Sequence, residues 1–275
     1  MTNSMKPFSL IKYTIKETYA VLGVFSVLLG VVCIIDINTI VTNIWGRIFL
    51  VICIFFVSLI VGAIKVLLTQ KISITLTTDH KLDILFGDLF KQANIVVIPV
   101  NRYFDTCIDD NLIAHNSVHG QFVKNIFGGN VQELDEKIED SLKYQGITSL
   151  ELNTDKMGKQ KAYPLGCIAE IPKSDKTYYL LALTEFDRNN EASCTLEQYY
   201  KSIINLLEYI KTHSQGKTVS MPLIGGGFAR LNKGKVNILS NLVSICKMYN
   251  GHITSDMQIV LYKEDKSIIN LHDYK

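Results

Sequence analysis

The sequence predicts an α/β protein preceded by an N-terminal two-helix membrane hairpin. Three observations carry this prediction. Two long apolar stretches, 18–35 and 48–68, stand in tandem, the second interrupted only by Lys65. Beyond residue 71 short β-rich runs alternate with amphipathic helices, the pattern of strands wound with crossover helices. At 48% hydrophobic residues and a mean hydropathy of +0.19, the chain is too apolar for disorder and high for a soluble enzyme.

The charges are unevenly placed. Residues 1–71 hold six basic side chains (Lys6, Lys12, Lys16, Arg47, Lys65, Lys71) against Glu17 and Asp36, a balance of +4. Of the chain's 28 basic and 26 acidic residues, 22 and 24 remain for residues 72–275, a balance of −2. A nucleic-acid binder carries its positive excess on the folded domain. Here it flanks the apolar stretches, so nucleic acid is excluded as a partner.

Each apolar stretch is long enough to cross a bilayer. Eighteen helical residues span roughly 27 Å, against a hydrocarbon core of about 30 Å. A cleaved signal peptide does not fit, because no small-residue cleavage pattern follows Ile35 and a second span comes after it. Lys6, Lys12 and Lys16 precede the first span and Lys65 and Lys71 close the second, while the connection holds only Asp36 and Arg47. The positive-inside bias then places both termini and the C-terminal domain in the cytoplasm of a plasma-membrane, multi-pass protein. No ionisable group interrupts either span before Lys65, so the hairpin does not resemble a transport path. Gly23, Ser26 and Gly30 share one helix face, where another helix could approach closely. The six cysteines show neither a CxxC pair nor paired histidines nearby, which argues against a zinc site or a disulfide scaffold.

The domain from 72 to 275 reads in order. KISITLTT (71–78) alternates as a strand, and ANIVVIPV (93–100) is a continuous apolar run expected in a sheet covered on both faces. Val131, Leu134, Ile138 and Leu142 recur at helical spacing. Strands are expected at 165–171, 177–184, 217–224 and 258–265, and helices at 195–211 and 236–248. In such sheets ligands bind beyond the carboxyl ends of the strands. Three loops are suitably placed: Gly87-Asp88-Leu89, the small-residue stretch His115 to Gln121, and Gly225-Gly226-Gly227-Phe228. Three consecutive glycines expose three backbone N–H groups without side-chain obstruction, which suits a diphosphate. The GxGxxG and GxxxxGK[ST] patterns are both absent, which disfavours an ordinary dinucleotide fold or an NTPase.

Taken in order, these loops resemble the macro-domain family, a three-layer α/β/α fold with a mixed sheet that binds ADP-ribose. Gly87-Asp88-Leu89 and Val100-Asn101 match the family's early Gly-Asp-aliphatic and strand-ending Val-Asn; Ser117-Val118-His119-Gly120 and Ile224-Gly225-Gly226-Gly227-Phe228 match its two phosphate loops. The resemblance implies that Asp88, with Leu89 beside it, receives the adenine amino group and that Asn101 faces the distal ribose. It implies that the loops around Ser117–Gly120 and Gly225–Phe228 hold the diphosphate, with Tyr262 a candidate to stack on adenine or a core tyrosine. Two departures bear on activity. The Asn that orients the reaction in macro hydrolases is replaced by Phe104, and the loop acid by His119. A binder rather than an enzyme is therefore expected, with no catalytic residue, metal or cofactor assigned. The alternatives are a membrane-anchored ADP-ribosyl hydrolase using His119 as a base near its ordinary pKa, or a passive ADP-ribose-binding adaptor. Asp105, Asp109 and Asp110 read as a solvated turn. A two-span hairpin joined to such a domain further resembles the membrane effectors of type II Thoeris anti-phage defence. That implies a signal nucleotide derived from ADP-ribose, such as a histidine conjugate, made by a TIR-domain partner. It also implies a homo-oligomer acting on membrane lipid.

Overall fold

The structure, a computed structural model, describes residues 7–35, 43–92, 94–152, 156–186, 191–227, 231 and 233–274. The chain divides into two compact units, residues 1–72 with 266–275, and residues 73–265. The last ten residues, which the sequence leaves with the C-terminal domain, thus group with the N-terminal helices.

The first unit is built on α1 (Pro7–Ile35) and α2 (Ile44–Leu68), which pack on each other. They come close at Gly62, where an added Cβ would lie 2.8 Å from Thr18 Oγ1 and 2.9 Å from the Thr18 nitrogen. Thr18 and Ser58 are buried, and each hydroxyl donates within its own helix, to the carbonyls of Thr14 and Ile54. The small-residue face expected at Gly23 and Gly30 is not the one used between these two helices. A Cβ at either glycine would meet nothing within 4 Å, whereas one at Gly62 of α2 would run into Thr18. Among the described residues one helix, Ile44–Leu68, is long and apolar enough to cross a membrane by length and composition, and only 17% of its most apolar stretch is buried. The C-terminal segment adds His272, whose Nε2 lies 3.0 Å from Thr69 Oγ1 and whose ring centroid is 5.0 Å from that of Tyr13.

In chain order the remaining elements are β1 (Lys71–Thr75), β2 (Lys81–Phe86), β3 (Ile95–Asn101), α3 (Val118–Ile126), α4 (Val131–Tyr144), β4 (Glu151–Leu152), β5 (Lys161–Ala162), β6 (Ile168–Lys173), β7 (Lys176–Phe186), β8 (Ala192–Ser193), α5 (Leu196–His213), β9 (Val219–Pro222), α6 (Lys235–Met248) and β10 (Met257–Leu261). An eight-stranded sheet runs β1-β2-β10-β9-β3-β7-β6, with β8 on β7. The pairs β2–β10, β10–β9, β9–β3 and β3–β7 are parallel, whereas β6 and β8 pair antiparallel with β7. The sheet is mixed, as expected. Five adjacent strands present their carboxyl ends along one edge.

Alternation along β3 explains the layers. Val96, Ile98 and Val100 pack with Phe122 of α3 and Leu134, Ile138 and Leu142 of α4 in one cluster. On the neighbouring strand Tyr179 points the other way, edge-on to Tyr209 of α5 at 5.1 Å. Both faces of the central strands are covered, which is why 95–100 reads as an unbroken apolar run. Strand β2 is missing from the sequence expectation because Asp83 interrupts its apolar pattern. That carboxylate is buried and accepts a hydrogen bond from Ser73 Oγ at 2.6 Å, which makes its burial tolerable.

Candidate functional site

The carboxyl ends of β3, β7, β9 and β10 enclose a cleft of about 460 Å³, within the range of small-molecule sites. Its lining includes Asn101, Ser117, Val118, His119 and Gly225–Gly227, together with Tyr262. Four separate sequence motifs therefore meet at one place. A second hollow, near Asp105, Cys107 and Lys159, holds none of the predicted residues. Its lysine is already engaged, with Lys159 Nζ 2.6 Å from Asp135.

Ser117 caps α3, its Oγ accepting from the Gly120 N–H at 2.9 Å, and its carbonyl accepts from Gln121. The N–H groups of Val118 and His119 belong to the first turn and have no partner within the helix. That end of α3 offers two donors and a positive dipole end to the cleft. The Gly120 N–H is spent on the cap, so the expected role of Gly120 in holding a diphosphate is corrected. It is glycine for packing, since a side chain there would run into the Ala114 carbonyl.

The triple-glycine loop also needs correction. It does not offer three open N–H groups, because Gly226 donates to the Leu223 carbonyl at 2.9 Å and closes a turn. Gly225 takes φ +87°, and a Cβ there would lie 2.6 Å from Leu231 Cδ1 and 3.0 Å from Tyr199 Cε2. Gly227 stands in open space. The turn is pinned from behind by Tyr199, whose hydroxyl donates to the Ile224 carbonyl at 3.1 Å. Tyr199 falls within the helix expected at 195–211, where nothing in its spacing distinguishes it from a core residue. Phe228 lies outside the described residues.

Asn101 lines the cleft with its carboxamide oxygen already committed. Oδ1 accepts from the N–H of Tyr103 at 3.0 Å and of Asp105 at 3.4 Å, leaving the amide nitrogen for a ligand. Tyr262 is 45% exposed, which makes it a wall of the cleft and not a core tyrosine. Its hydroxyl accepts from Gln121 Nε2 at 3.4 Å. Asp88 and Leu89 are not part of the lining. Asp88 follows β2, so it shares the carboxyl edge with the glycine turn, one strand beyond Tyr262. Its Oδ1 accepts from the Phe90 N–H at 3.0 Å. Leu89 is buried in the core cluster.

His119 is the least comfortable group in the cleft. It is 7% exposed, and its Nε2 is buried with no hydrogen-bond partner. Burial, with a smaller push from the Lys159 charge, drives its pKa from 6.5 down to about 3. The expectation of a histidine titrating near its ordinary pKa is thereby corrected: desolvation keeps this ring neutral at physiological pH. Phe104 is buried with φ +51° and packs edge-on to Tyr163 at 5.6 Å, so the position holds a core side chain. Asp109 accepts from the N–H groups of Asn111 and Leu112, and Asp110 from that of His115. Asp105 departs from the solvated turn expected of these three, because it is buried in an ion pair with Lys156. Lys235, not anticipated, opens α6 at the cleft and bonds Asp265 at 2.6 Å.

Comparison with known proteins places these features. Residues 82–262 match the family model described as Thoeris protein ThsA, Macro domain. Thoeris protein ThsA of Bacillus amyloliquefaciens (strain Y2) is 31% identical over 229 residues, covering 80% of this chain and 74% of that protein. Among solved structures, the Oceanobacillus iheyensis macrodomain with ADP aligns at 16% identity and TM-score 0.47, over 72% of this chain and 92% of that one. The same macrodomain with MES bound aligns at 15% identity and TM-score 0.46, over 71% and 90%. By the match over 82–262 and the ThsA relative, this chain belongs to the Thoeris ThsA macro-domain family.

Proposed function

We propose that this protein is a membrane effector of anti-phage defence whose macro domain binds a signal nucleotide derived from ADP-ribose. The observation that carries the reading is the cleft, lined both by the first turn of α3, with the N–H groups of Val118 and His119, and by the glycine turn after β9. Such donors suit a diphosphate without relying on cationic side chains. That matters because Lys235 is already paired with Asp265. A TIR-domain partner supplies the nucleotide, a histidine–ADP-ribose conjugate, and several copies assemble in the plasma membrane on binding it.

The membrane role is supported by α2, which turns large apolar side chains outward on the face away from Ser58, Gly62 and Val66, among them Phe49, Ile52, Phe56 and Ile60. A core helix of a soluble protein would bury most of them. The span at 18–35 completes a hairpin with both ends in the cytoplasm. Gly23 and Gly30, open on α1, offer another copy a face for close approach. Binding without turnover is favoured because His119 is a weak base at a pKa of about 3, and because Phe104 supplies no polar group.

The test uses the full chain. Gly227→Glu places a charge in open space beside the cleft without crowding the turn. It should abolish ADP-ribose binding by calorimetry and stop membrane depolarisation in cells that produce the signal. Unchanged affinity would remove the site assignment, and intact membrane potential in wild-type cells making the signal would remove the effector role.

A further inference from the structure

Lys156 is the only buried lysine or arginine among the described residues. Its side chain and that of Asp105 are each 1% exposed, and Nζ lies 2.7 Å from Asp105 Oδ2. The ammonium also donates to the Met157 carbonyl at 2.5 Å and sits 4.6 and 5.0 Å from the ring centroids of Tyr103 and Phe186. The second carboxylate oxygen of Asp105 accepts from the Lys159 N–H at 2.8 Å. Gly158 makes this fit possible. It takes φ +80°, and a Cβ there would lie 2.5 Å from Asp105 Oδ1 and 2.6 Å from Leu112 Cδ1.

The turn at 156–159 therefore grips the segment that leaves β3. That segment bears directly on the cleft, because the Asp105 N–H donates to Asn101 Oδ1. Asn101, Leu112 and Phe186 all form its wall. A buried ion pair is weak evidence for stability, since an apolar pair of similar size serves as well. It does impose direction: each oxygen of Asp105 has one assigned donor, and a slipped arrangement would strand a charge. Burial pushes the Asp105 carboxyl upward against the pull of both lysines, so the pair is held at the expense of solvation.

We propose that Lys156 is a positioning residue of the cleft. Through Asp105 it fixes Asn101, and through ring contact it fixes Phe186, setting the preference for a ligand that extends beyond its diphosphate. The inference rests on the nucleotide reading above, and the test separates the two. The double substitution Asp105→Asn with Lys156→Met removes both charges while keeping an acceptor for the Lys159 N–H.

In the full chain in detergent micelles, hydrogen exchange at the Tyr103 and Asp105 amides should speed up by about tenfold, the worth of one such bond. ADP-ribose affinity should fall about tenfold while ADP affinity changes by less than about twofold. Unchanged exchange, or an equal loss for both nucleotides, overturns the proposal. A wild-type protein that binds neither nucleotide overturns the nucleotide reading and leaves the exchange result to decide the role of Lys156. Should the double variant not fold, Lys156→Arg is measured in the same two ways and judged by the same outcomes. Its planar fork cannot repeat the point contact with Asp105 and the Met157 carbonyl.

Discussion

Replacing His119 by leucine should make the protein less sensitive to acid. The ring is neutral in the folded state with a pKa of about 3, against 6.5 for the free side chain. A folded-state pKa below the unfolded value means that the unfolded chain binds more protons between those limits. The stability from the neutral ring is thus fully present above pH 6.5 and is lost as pH falls towards 3. At about 1.4 kcal/mol per pH unit the whole span is worth roughly 5 kcal/mol, and the part lost by pH 4 roughly 3 kcal/mol. For a domain of this size that is a fall in melting temperature of about 10 °C. Near pH 7.5 the substitution also removes a buried nitrogen without a partner, which relieves about 1–3 kcal/mol of desolvation cost. Circular-dichroism melts of the full chain in micelles, from pH 7.5 to 4, test both parts. His119→Leu should melt at or above wild type at pH 7.5, and the gap should widen as pH falls. Parallel loss of stability in the two proteins would refute the reasoning.

Three further outcomes are expected. Gly225→Ala should destabilise the second unit by about 1–3 kcal/mol, because φ +87° and the contacts with Leu231 and Tyr199 both oppose a Cβ; a melting temperature equal to wild type would contradict this. Tyr199→Phe removes the hydroxyl that holds the Ile224 carbonyl, costing about 1 kcal/mol. It should also weaken ADP-ribose binding several-fold, and equal calorimetric affinities would show that the turn needs no support from behind. Gly62→Leu drives a side chain into Thr18 and parts α1 from α2. Depolarisation should be lost while nucleotide affinity stays unchanged, and retained depolarisation would show that this contact is dispensable.

The sequence alone determined the elements whose signals are local. Uncharged runs long enough to span a bilayer revealed both N-terminal helices, and an unbroken apolar segment revealed the covered strand β3, because a residue's partition between water and hydrocarbon needs no tertiary context. Glycines in a row marked a turn for the same kind of reason. Tertiary structure alone decided what each polar group is free to do. The N–H groups of Gly120 and Gly226 are spent on a cap and a turn, the oxygen of Asn101 is held by its own loop, and His119 is stripped of solvent and of partners. Strand β2 escaped notice because the donor that makes buried Asp83 acceptable lies on another segment of chain. Lys156 reads as an ordinary surface lysine until Asp105 and two rings, all distant in sequence, close around it. Hydrogen-bond supply and desolvation depend on which distant residues arrive, and no periodicity along the chain records that.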